Sequence, residues 1–334
     1  MNGRVRIAVI GLGLMGTRFA HVLAGMPGTD LAAVIDTSEE ARRRAEAEFG
    51  VPGAAAVTDL DPGGVGSVDG VVIALPDNAH RAATVQALER GLAVLVEKPL
   101  ATDLDDAEAI VAAGRGRMLM VGHLLRFDPR YLEARRRVQQ GGIGDLVHAY
   151  ARRNSAIGSA ARYGTTTRLP FHVSVHDLDL LRWVTGREVV AVRAHGTSRA
   201  LAAYGHLDSL QALLFLDDGS SAVVESCWVL PRHLGPAIDA RLEVTGTAGT
   251  LEVTGFAQGL MVADEAGIAF PDTTRYARYD DGAGGGLLAA EVAHFVRCVE
   301  RRQPPAVAPA EGLAAVRIAA AIEQSLESDK EIRL

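Results

Sequence analysis

Val5-Arg6-Ile7-Ala8-Val9-Ile10-Gly11-Leu12-Gly13-Leu14-Met15-Gly16 is the stretch that decides the fold. Val5–Ile10 reads as a strand, being apolar and rich in β-branched residues. Glycine then recurs with the spacing GxGxxG, and Met15–Gly25 continues with apolar residues at helical intervals. In a chain with 36 glycines the spacing alone carries little weight, and an ordinary βα turn is the rival reading. The order strand, glycine turn, amphipathic helix is more telling, because each glycine then has its own task. Gly11 permits a tight turn, Gly13 lets the backbone approach a pyrophosphate at the helix N-terminus, and Gly16 lets the helix pack close to the strand. Leu14 and Met15 open the helix and belong to the same cradle. Asp36 follows Gly16 by twenty residues at the end of the next expected strand. A carboxylate there accepts hydrogen bonds from the adenine ribose hydroxyls. It also repels a 2′-phosphate, so NAD is preferred over NADP. Arg42, Arg43 and Arg44 weaken that preference, although a solvated helix face is their simpler reading.

Outward from this turn, residues 1–123 alternate short apolar runs with helical segments. Further strands are expected at Leu31–Asp36, Val68–Leu75, Leu92–Glu97 and Met118–Gly122. Helices are expected at Ser38–Phe49, Ala79–Arg90 and Leu104–Gly114. Thr37 with Glu40, and Thr102 with Asp105, read as capping boxes. Gly50, Gly91 and Gly114 stand where helix ends often need positive φ. The alternation predicts an α/β Rossmann domain, a doubly wound parallel sheet covered on both faces. Three polar clusters fall at the carboxyl ends of its later strands, the edge where such sheets bind ligands. They are Leu75-Pro76-Asp77-Asn78-Ala79-His80, Glu97-Lys98-Pro99 and Gly122-His123-Leu124-Leu125-Arg126-Phe127. Leu75, Pro76, Asn78, His80, Glu97 and Lys98 join the candidate cofactor-binding set. Lys98 also stands out because Lys98 and Lys330 are the only lysines among 34 basic residues.

Residues 124–334 read as an α+β domain for substrate binding and oligomerisation. Phe127–Gln140 and Phe171–Thr185 are expected helices. Asp145–Asn154, Val189–His195, Ser209–Leu216, Ala222–Leu230, Asp239–Thr245 and Thr250–Thr254 are expected strands of a mostly antiparallel open sheet. Asp217-Asp218-Gly219 reads as a hairpin turn. Leu287–Arg302 and Ala310–Ser325 close the chain as amphipathic helices. An open sheet leaves a face to bury, so a homodimer or homotetramer is expected. His172 and His176 are four apart on one helix and share a face. A metal site with Asp177, Asp179 or His123 is weighed and set aside, since hydride transfer needs none.

Composition narrows the class. With 334 residues, 48% of them hydrophobic and 22% charged, the chain fits two globular domains. A net charge of −7 with no basic block leaves no footprint for nucleic acid. No run approaches the ~20 apolar residues of a membrane-spanning helix. Cys227 and Cys298 form neither a metal spacing nor a disulfide framework, and a reducing cytoplasm is the simple reading.

Glu97-Lys98-Pro99 at this place, with Val175-His176-Asp177-Leu178-Asp179-Leu180-Leu181-Arg182-Trp183 later, resembles the Gfo/Idh/MocA oxidoreductase family, over essentially the whole chain. That family includes glucose–fructose oxidoreductase and inositol dehydrogenase. The resemblance implies hydride transfer between nicotinamide and a ring carbon of a sugar or cyclic polyol, a CH–OH dehydrogenase reaction. It implies that Lys98 contacts both the nicotinamide side and the substrate hydroxyl, and that the Lys98–Pro99 bond is cis. It makes His176 the catalytic base and puts His123, Arg126, Phe127 and His172 on the substrate side. Many members carry Asp where this chain has His172, which departs from the inositol dehydrogenase pattern. Tyr163, in an irregular segment, is a candidate lid contact. Two alternatives share the fold: a non-catalytic regulator that binds NAD and a sugar, and an enzyme that uses NAD to cleave glycosides.

Overall fold

The computed structural model describes residues 4–56, 68–157, 168–231, 238–255, 260, 262–264, 267–269, 273–277 and 284–334. They fall into two compact units: Met1–Leu124 with Thr273–Leu313, and Leu125–Asp272 with Ala314–Leu334.

The first unit is built on six parallel strands, β1 (Val5–Ile10), β2 (Thr29–Ile35), β3 (Gly53–Ala54), β4 (Gly70–Ile73), β5 (Ala93–Glu97) and β6 (Leu119–Gly122). Their order is β3-β2-β1-β4-β5-β6, a sheet wound both ways from β1. Ile7, Val9, Val72, Leu95 and Met120 are wholly buried, as a sheet covered on both faces requires. Four helices connect the strands: α1 (Leu14–Gly25), α2 (Glu39–Phe49), α3 (His80–Glu89) and α4 (Leu104–Ala113). Two expected capping boxes are replaced by simpler caps. Ser38, not Thr37, accepts the Ala41 N–H, and Asp103, not Thr102, accepts from Asp105 and Asp106. Each sits one residue nearer its helix, where a short side chain reaches the free N–H groups. Gly50 and Gly91 have positive φ, but Gly114 does not; the left-handed residue is Gly116.

The expected boundary at 123/124 leaves out a return of the chain. Residues Thr273–Leu313, read as part of the second domain, cluster with the first unit. They include α7 (Gly286–Arg301), whose Phe295 is fully buried and lies against Gly70 of β4.

The second unit holds a seven-stranded sheet. Its strands are β7 (Leu146–Ala156), β8 (Val189–Thr197), β9 (Ser209–Leu216), β10 (Ser221–Leu230), β11 (Ile238–Gly246), β12 (Thr250–Thr254) and β15 (Ile332–Arg333), ordered β12-β11-β7-β10-β9-β8-β15. β7 and β10 run parallel and every other pair is antiparallel, so the mostly antiparallel sheet expected from sequence is present. A small hairpin, β13 (Val262–Asp264) with β14 (Gly267–Ala269), stands apart from that sheet. Alternation along β9 buries Leu210, Ala212 and Leu214 and exposes Gln211 and Leu213, the pattern of a sheet covered on one face. α5 (Pro129–Gln139) packs on α6 (Val175–Thr185), and α6 packs on β7. Ser325 of α8 (Pro309–Ser328) accepts the Ala194 N–H of β8. No described helix is long and apolar enough to cross a membrane.

Candidate active site

In the first unit the glycine turn has the geometry a dinucleotide needs. Gly11 has φ +90°, and a Cβ there would lie 2.5 Å from the Ala74 carbonyl oxygen. At Gly16 a Cβ would lie 1.7 Å from the Gly11 carbonyl oxygen, which is why α1 passes so close to the turn. Gly13 differs: its φ is ordinary, it is exposed, and a Cβ would meet nothing within 4 Å. It caps α1 without a side-chain hydrogen bond, so no capping side chain occupies the positive end of the helix dipole. Leu14 is exposed and Met15 half-buried on the same turn. Asp36 closes the cradle: its carboxylate accepts the Leu12 N–H at 2.7 Å and the Ser38 N–H at 2.8 Å. Arg42 donates to the Asp36 carbonyl oxygen at 2.6 Å. These residues fit a dinucleotide pyrophosphate and ribose.

The next two strand ends are tied together. His80, expected beside the cofactor, is completely buried, and its ring nitrogens lie 2.9 Å from the Pro99 carbonyl oxygen and 3.0 Å from that of Leu75. Both nitrogens thus face backbone, so His80 braces the Leu75–Pro76 and Lys98–Pro99 turns. Burial pushes its imidazole below the ordinary value, against the opposing influence of Asp77 and the carbonyls. The Lys98–Pro99 bond is cis, as expected. Lys98 is half-buried, and its N–H donates to Glu97 Oε2 at 3.0 Å. Glu97 is buried, which raises its carboxyl to about 7 despite the pull of Lys98. Pro76 and Asn78 line the turn after β4, and the His123 ring is buried at the end of β6.

In the second unit the histidine helix is not uniform. Pro170–Ser174 forms a wide π-turn, and α6 follows from Val175. The single helix expected from Phe171 therefore begins with a different hydrogen-bond spacing, a feature frequent at functional sites. His172 and His176 are both half-exposed. His172 lies 6.2 Å, ring to ring, from Trp228, a fully buried residue of β10 that the sequence reading passed over. Its inward place in the alternation of β10, between half-buried positions, was the available signal. Asp177 and Asp179, weighed as metal ligands, are each held by an arginine. Arg153 grips Asp177 at 2.8 and 2.9 Å, and Arg126 grips Asp179 at 2.9 and 2.6 Å. Arg126, expected on the substrate side, is buried in that pair, with its guanidinium 5.4 Å from the Trp183 ring. A planar guanidinium matches a carboxylate bidentately, and two charges so buried require each other. Phe127 ends the short turn before α5, whose N-cap is Asp128. Tyr163 lies outside the described residues. Lys98 belongs to the first unit and His176 to the second.

The family description "Oxidoreductase family, NAD-binding Rossmann fold" matches residues 5–123, and "GFO/IDH/MocA C-terminal domain" matches residues 131–252. The chain belongs to the Gfo/Idh/MocA oxidoreductase family. Within it, inositol 2-dehydrogenase 1 of Saccharopolyspora erythraea is 34% identical over 256 residues, 75% of this chain and 74% of that one. The scyllo-inositol 2-dehydrogenase (NAD(+)) of Bacillus subtilis is 27% identical over 100% of this chain and 97% of its own. Among solved structures, scyllo-inositol dehydrogenase of Lactobacillus casei superposes with a TM-score of 0.86 at 25% identity, covering 100% of this chain and 99% of that one. The expected class, a nicotinamide-dependent dehydrogenase acting on CH–OH groups, agrees with this Gfo/Idh/MocA membership.

Proposed function

We propose that this protein oxidises a ring hydroxyl of an inositol-like cyclic polyol, with His176 as the base and Lys98 as the polarising cation. The observation that carries the reading is Glu97-Lys98-Pro99 at the end of β5 in a relative of inositol 2-dehydrogenases. Bound NAD+ would supply the hydride acceptor. The Lys98 ammonium stabilises alkoxide character on the reacting oxygen. The His176 imidazole takes the hydroxyl proton, the task of a general base. His172 supplies no negative charge at the position where many family members have one. His123, Phe127 and Tyr163 contact substrate in this reading, while Arg126 braces α6.

NAD rather than NADP is the proposed cofactor. Support comes from the Asp36 carboxylate beside Leu12 and from Arg42, whose guanidinium is engaged by the Asp36 carbonyl. Exposed Val190 and Leu213 on the open side of the second sheet support a homo-oligomer, measurable by light scattering. The net charge of −7 argues against a nucleic-acid partner, and two free cysteines suit a reducing cytoplasm.

The test is absorbance of reduced nicotinamide after mixing the protein with NAD+ and a panel of inositols and hexoses. Net reduced cofactor with an inositol is the expected result. Binding without turnover would point to a regulator, and turnover of glycosides without net reduction to NAD-assisted cleavage. Lys98→Ala is expected to lower kcat about 100-fold or more while NAD affinity survives. Normal turnover by that variant would remove Lys98 from the reaction.

A further inference from the structure

β10 meets the π-turn of residues 170–174 through two side chains on one of its faces, Ser226 and Trp228. The Ser226 and Ser174 hydroxyl oxygens lie 2.8 Å apart, and both serines are wholly buried. Trp228, two residues on, is wholly buried too, and its ring lies 6.2 Å from that of His172 at a tilt of 41°. That separation falls within the range of aromatic pairs that attract each other. Other partners hold Trp228 itself. Its indole N–H donates to the Leu207 carbonyl oxygen, and its backbone N–H donates to that of Asp208 at 3.1 Å. The buried His206 ring meets it edge-on at 5.4 Å. The loop between β8 and β9 that carries these groups is tied down in turn. The Asp208 carboxylate accepts the N–H groups of Arg199, Ala200 and Leu201 at 2.8 to 2.9 Å, and the Ser198 hydroxyl donates to the His206 carbonyl oxygen at 2.7 Å. The backbone beneath His172 is different, because it has left the regular α-helical spacing. The offset between His172 and His176 is therefore not the one a uniform helix imposes. Packing on β10 supplies the reference that helix geometry does not.

We propose that Trp228 is a positioning residue that sets the angle of the His172 ring, and thereby determines which hydroxyl configuration of a cyclic polyol the site accepts. Epimeric inositols carry the same atoms and differ in the direction of one hydroxyl. A partner that can swing follows either epimer. A ring held at one angle hydrogen-bonds one epimer and leaves the other unpaired. A half-exposed imidazole on a turn has rotamer freedom of its own. Trp228 removes part of it, since the flat indole cannot turn without breaking its N–H bond to Leu207 and its contact with His206. Tryptophan suits the task because it joins a broad apolar face to a single donor. Trp228 touches no substrate in this account and acts through His172, so the inference rests on the reading of His172 as a substrate-side residue of an inositol dehydrogenase.

The first measurement reads the ring contact directly. In a proton–carbon NMR spectrum of the histidine rings, the His172 signal is identified by its loss in His172→Asn. It is expected to be displaced by the Trp228 ring current in the wild type and to move in Trp228→Leu. A His172 signal that stays in place would overturn the proposal. Kinetics with NAD+ and myo-, scyllo- and D-chiro-inositol supply the second arm. Trp228→Leu is expected to raise the KM of the best of the three about tenfold, with kcat within about threefold and the KM for NAD+ unchanged. The spread of kcat/KM across the three inositols should narrow about tenfold. Trp228→Phe keeps an aromatic face for His172 and loses the bond to Leu207, so it should recover most of the KM and narrow the spread only about threefold. A merely structural role predicts fewer folded molecules instead: a lower apparent kcat, with the KM and the spread of wild type. That pattern would overturn the proposal, and if Trp228→Leu does not fold, a wild-type spread in Trp228→Phe does the same. Failure of the underlying reading looks different. A wild-type spread in His172→Asn would take His172 out of the substrate site while the NMR contact stands, and no reduced cofactor with any of the three would sink the inositol reading and this inference with it.

Discussion

Single atoms separate the three glycines of the first turn. A methyl group at position 16 would lie 1.7 Å from the Gly11 carbonyl oxygen, so Gly16→Ala forces backbone to move. We expect it to cost about 3 kcal/mol in urea unfolding and to weaken NAD binding together with stability. Gly13→Ala meets no protein atom within 4 Å and has an ordinary φ. Its stability should stay within about 0.5 kcal/mol of wild type, while calorimetric NAD affinity falls about tenfold. Equal NAD affinity in Gly13→Ala would mean the pyrophosphate does not approach there. At Asp36 the carboxylate is the discriminating group. Asp36→Ala should narrow the NAD-to-NADP ratio of kcat/KM about tenfold or more, and an unchanged ratio would leave cofactor choice to other residues.

Elements explain why some expectations held and others shifted. The first sheet was legible because its strands are mostly apolar runs and its first turn carries glycine; β4, β5 and β6 end within two residues of the expected positions. The three polar clusters were legible too, since parallel topology gathers strand ends on one edge. The caps were not, because Thr37 and Ser38 are adjacent and chemically alike, and placement depends on φ and ψ. Arg126 and His80 hold partners that the sequence does not reveal, since it shows a polar side chain near a site but not what that side chain binds. Their partners, Asp179 and the Pro99 carbonyl, lie 53 and 19 residues away. A helix-level prediction follows from that pairing. Arg126→Ala strands Asp179 without its counter-charge and should destabilise by about 3 to 5 kcal/mol, whereas Arg126→Met with Asp179→Leu should recover most of it. Additive losses in the double variant would show that the pair is not coupled.

At the scale of the whole molecule, the buried acid of β5 links stability to pH. Glu97 is raised from about 4.5 in the unfolded chain to about 7 in the fold, so the native state binds protons more tightly. Its contribution is complete below about pH 4.5 and is lost as pH rises through about 7, on the order of 3 kcal/mol for that span. Glu97→Gln should flatten this slope in denaturant titrations between pH 5 and 8, and a slope equal to that of wild type would assign the effect elsewhere. The path of the chain through its two units carries a different consequence. α7 reaches the first sheet only after some 150 intervening residues have been made, and Phe295 then covers Gly70. During synthesis the nucleotide-binding sheet must wait, with an apolar flank uncovered, until the chain has been made through Arg301. A fragment ending at Leu124 should consequently clump or bind chaperones, and adding residues 273–313 as a separate peptide should rescue it.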